Sequence, residues 1–147
     1  MKTKTVWIVV ADGGRARVLK ANEGLTKLDM ALDYELVADR RPSRDIDADR
    51  PGRTRDRAAQ GRHAYEPPTD PHEHEKIEFA RKIARLLDDE RKKLSYDEVI
   101  LVAAPKMLGL LREALPRETL KLLRAEVPKD FSKLKLHELR EKLPAIV

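Results

Sequence analysis

The side chains most able to do chemistry crowd into one polar stretch, RDRAAQGRHAYEPPTDPHEHE, from Arg55 to Glu75. Three of the four histidines, His63, His72 and His74, stand here with Asp70, Glu73 and Glu75. These are donor types that zinc accepts. The spacing works against chelation: His72 and His74 are two apart at a helix start, so their side chains diverge by about 200°. Asp70, Pro71 and Glu73 read instead as N-cap, first helical residue and capping-box acid. No metal and no cofactor is expected. Arginines recur at Arg40, Arg41, Arg44, Arg50, Arg53, Arg55, Arg57 and Arg62, with no lysine among them. Arginine suits bidentate phosphate contact and stacking on bases, and His63 and Tyr65 could stack beside it. Asp39, Asp45, Asp47, Asp49 and Asp56 are interleaved and cancel much of the charge. A solvated linker held by internal Arg–Asp pairs is the competing reading.

Two positions outside this stretch also invite chemistry. Asp12 follows an apolar run, where a metal-dependent nuclease would place the first of several converging acids. Asp33, Glu35 and Glu98 are the other acids at hand, but nothing in the sequence brings them to Asp12. Asp12-Gly13 is also a strong hairpin signal, with both turn residues expected at positive φ. Lys106 lies in AAPKMLG, a strand-to-helix step. Ligands gather at the carboxyl ends of strands, and a helix N-terminus favours an anion such as phosphate. Pro105 removes one amide donor and no glycine-rich cradle is present. Met107, Leu108, Leu110 and Leu111 read as core or a partner-helix surface, so packing is the favoured role of this step.

The elements that must position these residues follow from pattern. TVWIVVA, from Thr5 to Ala11, is β-branched and apolar throughout, as in a buried strand. The glycine turn sends it back into a second strand over Ala16 to Ala21, and Leu25 to Tyr34 is expected to be a third. From about Val37 to Asp70 the apolar pattern stops, and a long protruding loop is expected over about 40–69. A helix opens at Pro71, with Ile77, Ala80, Ile83, Ala84 and Leu87 on one face and Phe79 and Leu86 widening it. Val99 to Ala103 reads as a central strand. Helices follow from Pro105 and Pro116, then a short strand in RAEVP and a closing helix in LHELREKL. The fold class is α/β, one mixed sheet: a β-meander, then α-β-α-β-α. The 147 residues suit one domain over 1–147. Charged residues are 39% and net charge is +5, which describes a well-solvated surface first and a polyanion binder second. There is no cysteine, hence no disulfide and no thiolate chemistry. The leading apolar run is shorter than a secretory signal, and no run reaches membrane-spanning length. A cytoplasmic location without membrane insertion is expected.

Three patches, in order, carry a resemblance. They are WIVVADGGRARVL; GRHAYEPPTDPHEHE leading into FARKIARLL; and LVAAPKMLGLLREAL, followed by EVPKDFSKL and ELREKL. Together they resemble the bacterial host attachment family, described as required for attachment to host cells. That family is similar in turn to the middle domain of archaeal and eukaryotic class-1 peptide release factors. The resemblance implies a ribonuclease-H-like sheet. In the release factors, the loop after the third strand carries Gly-Gly-Gln, which reaches the peptidyl-tRNA ester. The corresponding place here holds Ala58, Ala59, Gln60 and Gly61. Alanine restricts the positive φ and close approach that glycine permits, which argues against hydrolysis. Lys135 stands where the family usually has serine or threonine, and Lys133 where it has histidine.

The implied function is a translation-related factor, more binder than enzyme, acting on ribosomes, rRNA or tRNA. Arg55, Arg57, Gln60, Arg62, His63 and Tyr65 are its candidate contacts, with Lys106 as a further one. The alternatives are a hydrolase of peptidyl-tRNA or nucleic acid, and a protein-interaction module that affects attachment indirectly. The oligomeric state is left open.

Overall fold

β1 (Thr5–Ala11) occupies the interior of the sheet in the computed structural model, which describes residues 3–39 and 71–147. Its run of apolar residues follows from that position. Trp7, Val9 and Ala11 enter one core, while Val6, Ile8 and Val10 enter another on the opposite face. A strand covered on both faces loses the polar half of the usual alternation. β2 (Arg15–Asn22) pairs antiparallel to β1, from Thr5 opposite Asn22 to Ala11 opposite Ala16. The expected hairpin therefore forms, but by a different turn. Asp12 is not among the residues of positive φ. Instead its Oδ1 accepts the backbone N–H groups of Gly14 and Arg15, both at 2.8 Å. The aspartate side chain thus closes the turn that positive φ was expected to close.

The third strand departs more from expectation. On the side of β2 away from β1, two short segments, β3 (Asp29–Met30) and β4 (Leu36–Val37), pair with it in place of one continuous strand. Between β2 and β3, Asn22 Oδ1 accepts the N–H groups of Thr26 and Lys27, and Leu25 and Leu28 turn inward as core. Leu25 and Leu28 thus plug a loop into the core, and the ladder in this range is confined to Asp29–Met30.

α1 (Pro71–Lys92) begins at the proline, as expected. Asp70, its expected N-cap, and the whole expected loop over 40–69 lie outside the described residues. Phe79, Ala80, Ile83, Ala84 and Leu87 are buried against the Trp7 face. β5 (Glu98–Val102) pairs parallel to β1, and β6 (Leu123–Val127) parallel to β5. α2 (Pro105–Ala114) and the short α3 (Arg117–Leu120) make the crossover between them. α2 covers the same face as α1 through Met107, Leu108 and Leu111. α4 (Leu136–Ile146) covers the other face with Leu139 and Leu143. Sheet order is β3-β2-β1-β5-β6, with β4 also on β2, and the class is mixed α/β.

Lys135 stands at the N-cap of α4, and a lysine offers no acceptor there. Glu138 supplies the other half of a capping box, its Oε1 accepting the Lys135 N–H at 2.8 Å. No described helix is long and apolar enough to cross a membrane.

Candidate functional site

β1, β5 and β6 run parallel, so their carboxyl ends lie along one edge of the sheet. The residues that follow those ends are Asp12, Ala104 and Asp130. Together with Gly13, Lys76, Lys106, Met107 and Leu110 they line an open cleft of about 140 Å³. Ligands of open α/β sheets settle in this place, because loops diverge there and helix N-termini point toward it.

Three of the polar groups in the cleft, Asp12, Asp130 and Lys106, have structural partners that limit their chemistry. Asp12 closes the hairpin, as described above. Asp130 Oδ1 accepts the N–H of Ser132 at 3.1 Å and also its hydroxyl. The hydroxyl first, and the amide second, hold the Asp130 carboxyl below the usual carboxylate range. Lys106 Nζ donates to Glu73 Oε1 at 2.8 Å, joining the start of α2 to the start of α1. Lys76 has no ion-pair partner among the described residues, and its stem lies across Gly13. A Cβ at Gly13 would come within 3.1 Å of that stem, so glycine at this position gives the lysine its path.

The loop after β6 is anchored from the sheet. Arg17 Nη2 donates to the carbonyls of Phe131 and Ser132, both at 3.2 Å. That bond fixes where Asp130 stands. The chain also leaves and re-enters the described structure at this edge. The Ala38 N–H donates to Gly14 O at 2.9 Å, and Lys82 Nζ donates to Val37 O at 2.9 Å and lies 3.3 Å from Asp39. On the return side, Glu73 meets Lys106 and Lys76 crosses Gly13. Ahead of the arginine-rich segment Ala38 thus reaches Gly14, and after it Glu73 and Lys76 reach Lys106 and Gly13, residues at or next to the cleft.

Of the residues singled out from sequence, Lys106 belongs to the cleft. Arg55, Arg57, Gln60, Arg62, His63 and Tyr65 lie outside the described residues. His72 lies 3.4 Å from Glu75 on the first turns of α1. No group of three histidine, aspartate or glutamate side chains converges among the described residues. Glu98 opens β5 opposite Val6, some six residues from Asp12, or about 20 Å along the strand. There it pairs with Lys4 and Arg124. Glu35 pairs with Arg15 and Asp33 is exposed. The acids weighed for a nuclease centre are therefore spread over the sheet.

Asp130 and Lys76 were not anticipated. Asp130 was legible in principle, being the second residue after the short strand expected in RAEVP. Lys76 was not, since its place depends on how α1 crosses the hairpin.

Residues 7–143, nearly the whole chain, match the family model described as "protein required for attachment to host cells". No curated protein matches the chain.

Proposed function

This chain belongs to the family described as required for attachment to host cells, and from that premise we propose that it is a cytoplasmic, translation-related factor that binds RNA or ribosomes. One observation carries the reading. An arginine-rich, lysine-free segment joins two described stretches near the carboxyl edge of the parallel strands: before it Val37 and Asp39 meet Lys82, and after it Glu73 meets Lys106. Arginine reads phosphate by its bidentate fork, and lysine adds a point charge. Arg55, Arg57 and Arg62 supply phosphate contacts, His63 and Tyr65 supply stacking, and Gln60 offers a hydrogen-bonding amide. The sequence resemblance to release factors, which implies a ribosome-facing loop at this point of the chain, supports the same reading. Attachment to host cells then follows indirectly, from a protein that acts on gene expression.

The test is direct binding over a salt series. Fluorescence anisotropy with labelled tRNA, and co-sedimentation with ribosomes, are run for the natural chain and for a variant with Arg55, Arg57 and Arg62 changed to Gln. The natural chain binds at low salt, and log affinity falls linearly with log salt. Each phosphate contact removed lowers that slope by about 0.7–0.9. Absence of binding to both tRNA and ribosomes at low salt ends the proposal. Unchanged slope in the triple variant removes the arginines from it.

A further inference from the structure

The loop over residues 128–135, between β6 and α4, divides its side chains by kind. Phe131 and Leu134, with Leu136 at the start of α4, pack against the core that α4 covers. Lys129, Lys133 and Lys135 are exposed between them. The backbone is held along its length. The Lys129 N–H donates to Val127 O at 2.8 Å, the Leu134 N–H to Phe131 O at 3.0 Å, and Arg17 reaches the Phe131 and Ser132 carbonyls from β2. Among the described residues, no ion pair engages any of the three lysines. The acids nearest in sequence are committed elsewhere. Asp130 Oδ1 takes the Ser132 hydroxyl and N–H, and Lys133 is the least of the influences on that carboxyl. Glu138 Oε1 accepts the Lys135 backbone N–H. Exposed cations at other places do meet carboxylates, as Arg81 meets Glu78, Lys93 meets Glu90 and Lys106 meets Glu73. Three like charges fixed on one short loop without a counter-charge draw an anion from outside the chain.

The loop borders the carboxyl-edge cleft through Asp130, and the same cleft holds Lys76. Cations strung along an exposed loop suit a chain of phosphates better than one small anion, which needs an enclosed cradle. A lipid surface fits less well, because the loop turns its apolar residues inward and leaves none to enter an acyl layer. We propose that Lys129, Lys133 and Lys135 form a fixed contact surface for the phosphate backbone of RNA. The inference rests on the RNA binding proposed for the chain and deepens it. Lysine meets phosphate as a point charge, without the fork of arginine. Contacts of this kind set where a nucleic acid lies and read no sequence. The loop therefore orients the RNA backbone along this edge, and any choice among bases falls to other residues.

Fluorescence anisotropy of labelled tRNA with the full chain, over a salt series, reads the outcome. One variant changes Lys129, Lys133 and Lys135 together to Gln. A second changes Lys20, Lys27 and Lys142 to Gln, which removes equal charge from exposed lysines on β2, the loop after it and α4. The loop variant loses about 2–3 from the slope of log affinity against log salt, since each phosphate contact contributes about 0.7–0.9. The second variant keeps the natural slope, and so does a third with the loop lysines changed to Arg. A natural chain that binds while the loop variant keeps its slope overturns this proposal and leaves RNA binding standing. Equal loss of slope in the second variant overturns it too, because net charge alone then accounts for the binding. A natural chain that binds no tRNA at low salt also overturns this surface, and ribosome co-sedimentation decides whether the RNA reading falls with it.

Discussion

Tyr96 offers a prediction whose size can be worked from the structure. Its side chain is 3% exposed, its ring stacks on Trp7 with centroids 5.1 Å apart, and its hydroxyl donates to Leu87 O at 2.7 Å. Burial above all, with the nearby Asp88 and Glu90 carboxylates adding to it and Arg91 opposing, pushes the phenol up to about 12. Tyr96→Phe keeps the ring and removes the hydroxyl. At neutral pH the change costs about 1–1.5 kcal/mol, the net worth of one buried hydrogen bond between neutral groups. The pH dependence carries more information. The unfolded phenol ionises at its ordinary 10.0, while the native one holds its proton to about 12. Stability from this group is complete below pH 10 and is lost as pH rises through 12. Over that window the native protein binds more protons than the unfolded chain. Tyr96 therefore lowers stability by about 1.4 kcal/mol per pH unit, to a total of about 2.7 kcal/mol. The phenylalanine variant lacks this term. Its deficit at pH 7 shrinks above pH 10 and vanishes near pH 11. Paired urea titrations followed by circular dichroism at pH 7, 9, 10 and 11 measure the difference, with all other titrations common to both chains. A deficit unchanged between pH 9 and 11 refutes the burial argument, and no deficit at pH 7 refutes the hydrogen bond.

Three further expectations rest on single contacts. Leu139, fully buried on the inner face of α4, should cost about 2–5 kcal/mol when changed to Ala, measured by guanidinium unfolding. Arg17→Met removes the Nη2 group that donates to both the Phe131 and Ser132 carbonyls; amide exchange should quicken across 128–135 while β1 and β5 amides stay protected. Glu90 is held below its ordinary 4.5, first by the Ser95 hydroxyl and then by Lys93, with burial opposing. A depressed carboxyl gives stability that is present above 4.5 and lost as pH falls through the lower native value. Ser95→Ala should therefore flatten the acid side of a melting-temperature profile below pH 5, and an unchanged profile would remove that hydroxyl from the account.

Much of the architecture was open to reading because burial on both faces leaves a strong mark. Val6–Ala11 and Val99–Val102 are continuous apolar runs, and both are interior strands of the sheet. Pro71 opens a helix because a proline at the first helical position loses no bond. The third strand was misjudged for a comparable reason. Leu25 and Leu28 are apolar because they are core, yet Asn22 folds the chain into a turn around them, so apolar residues there do not mean a ladder. The hairpin was right and its turn wrong: Asp12 supplies a side-chain acceptor where positive φ was expected. Lys106 was placed correctly at a strand-to-helix step, but Glu73, thirty-three residues earlier, is its partner, and no local pattern reports such a pairing.

The order of strands and helices, the opening of α1 at Pro71 and the arginine-rich composition of the inserted segment were determined by sequence alone, because propensity, burial period and charge are local properties. The meeting of Asp12, Lys76, Lys106 and Asp130 at one edge, and the exposure of Lys129, Lys133 and Lys135 on the loop after β6, were decided only by tertiary structure. Parallel pairing of β1, β5 and β6 brings together strand ends that lie far apart in the chain, and a side chain's solvent exposure depends on neighbours that its own sequence window does not contain.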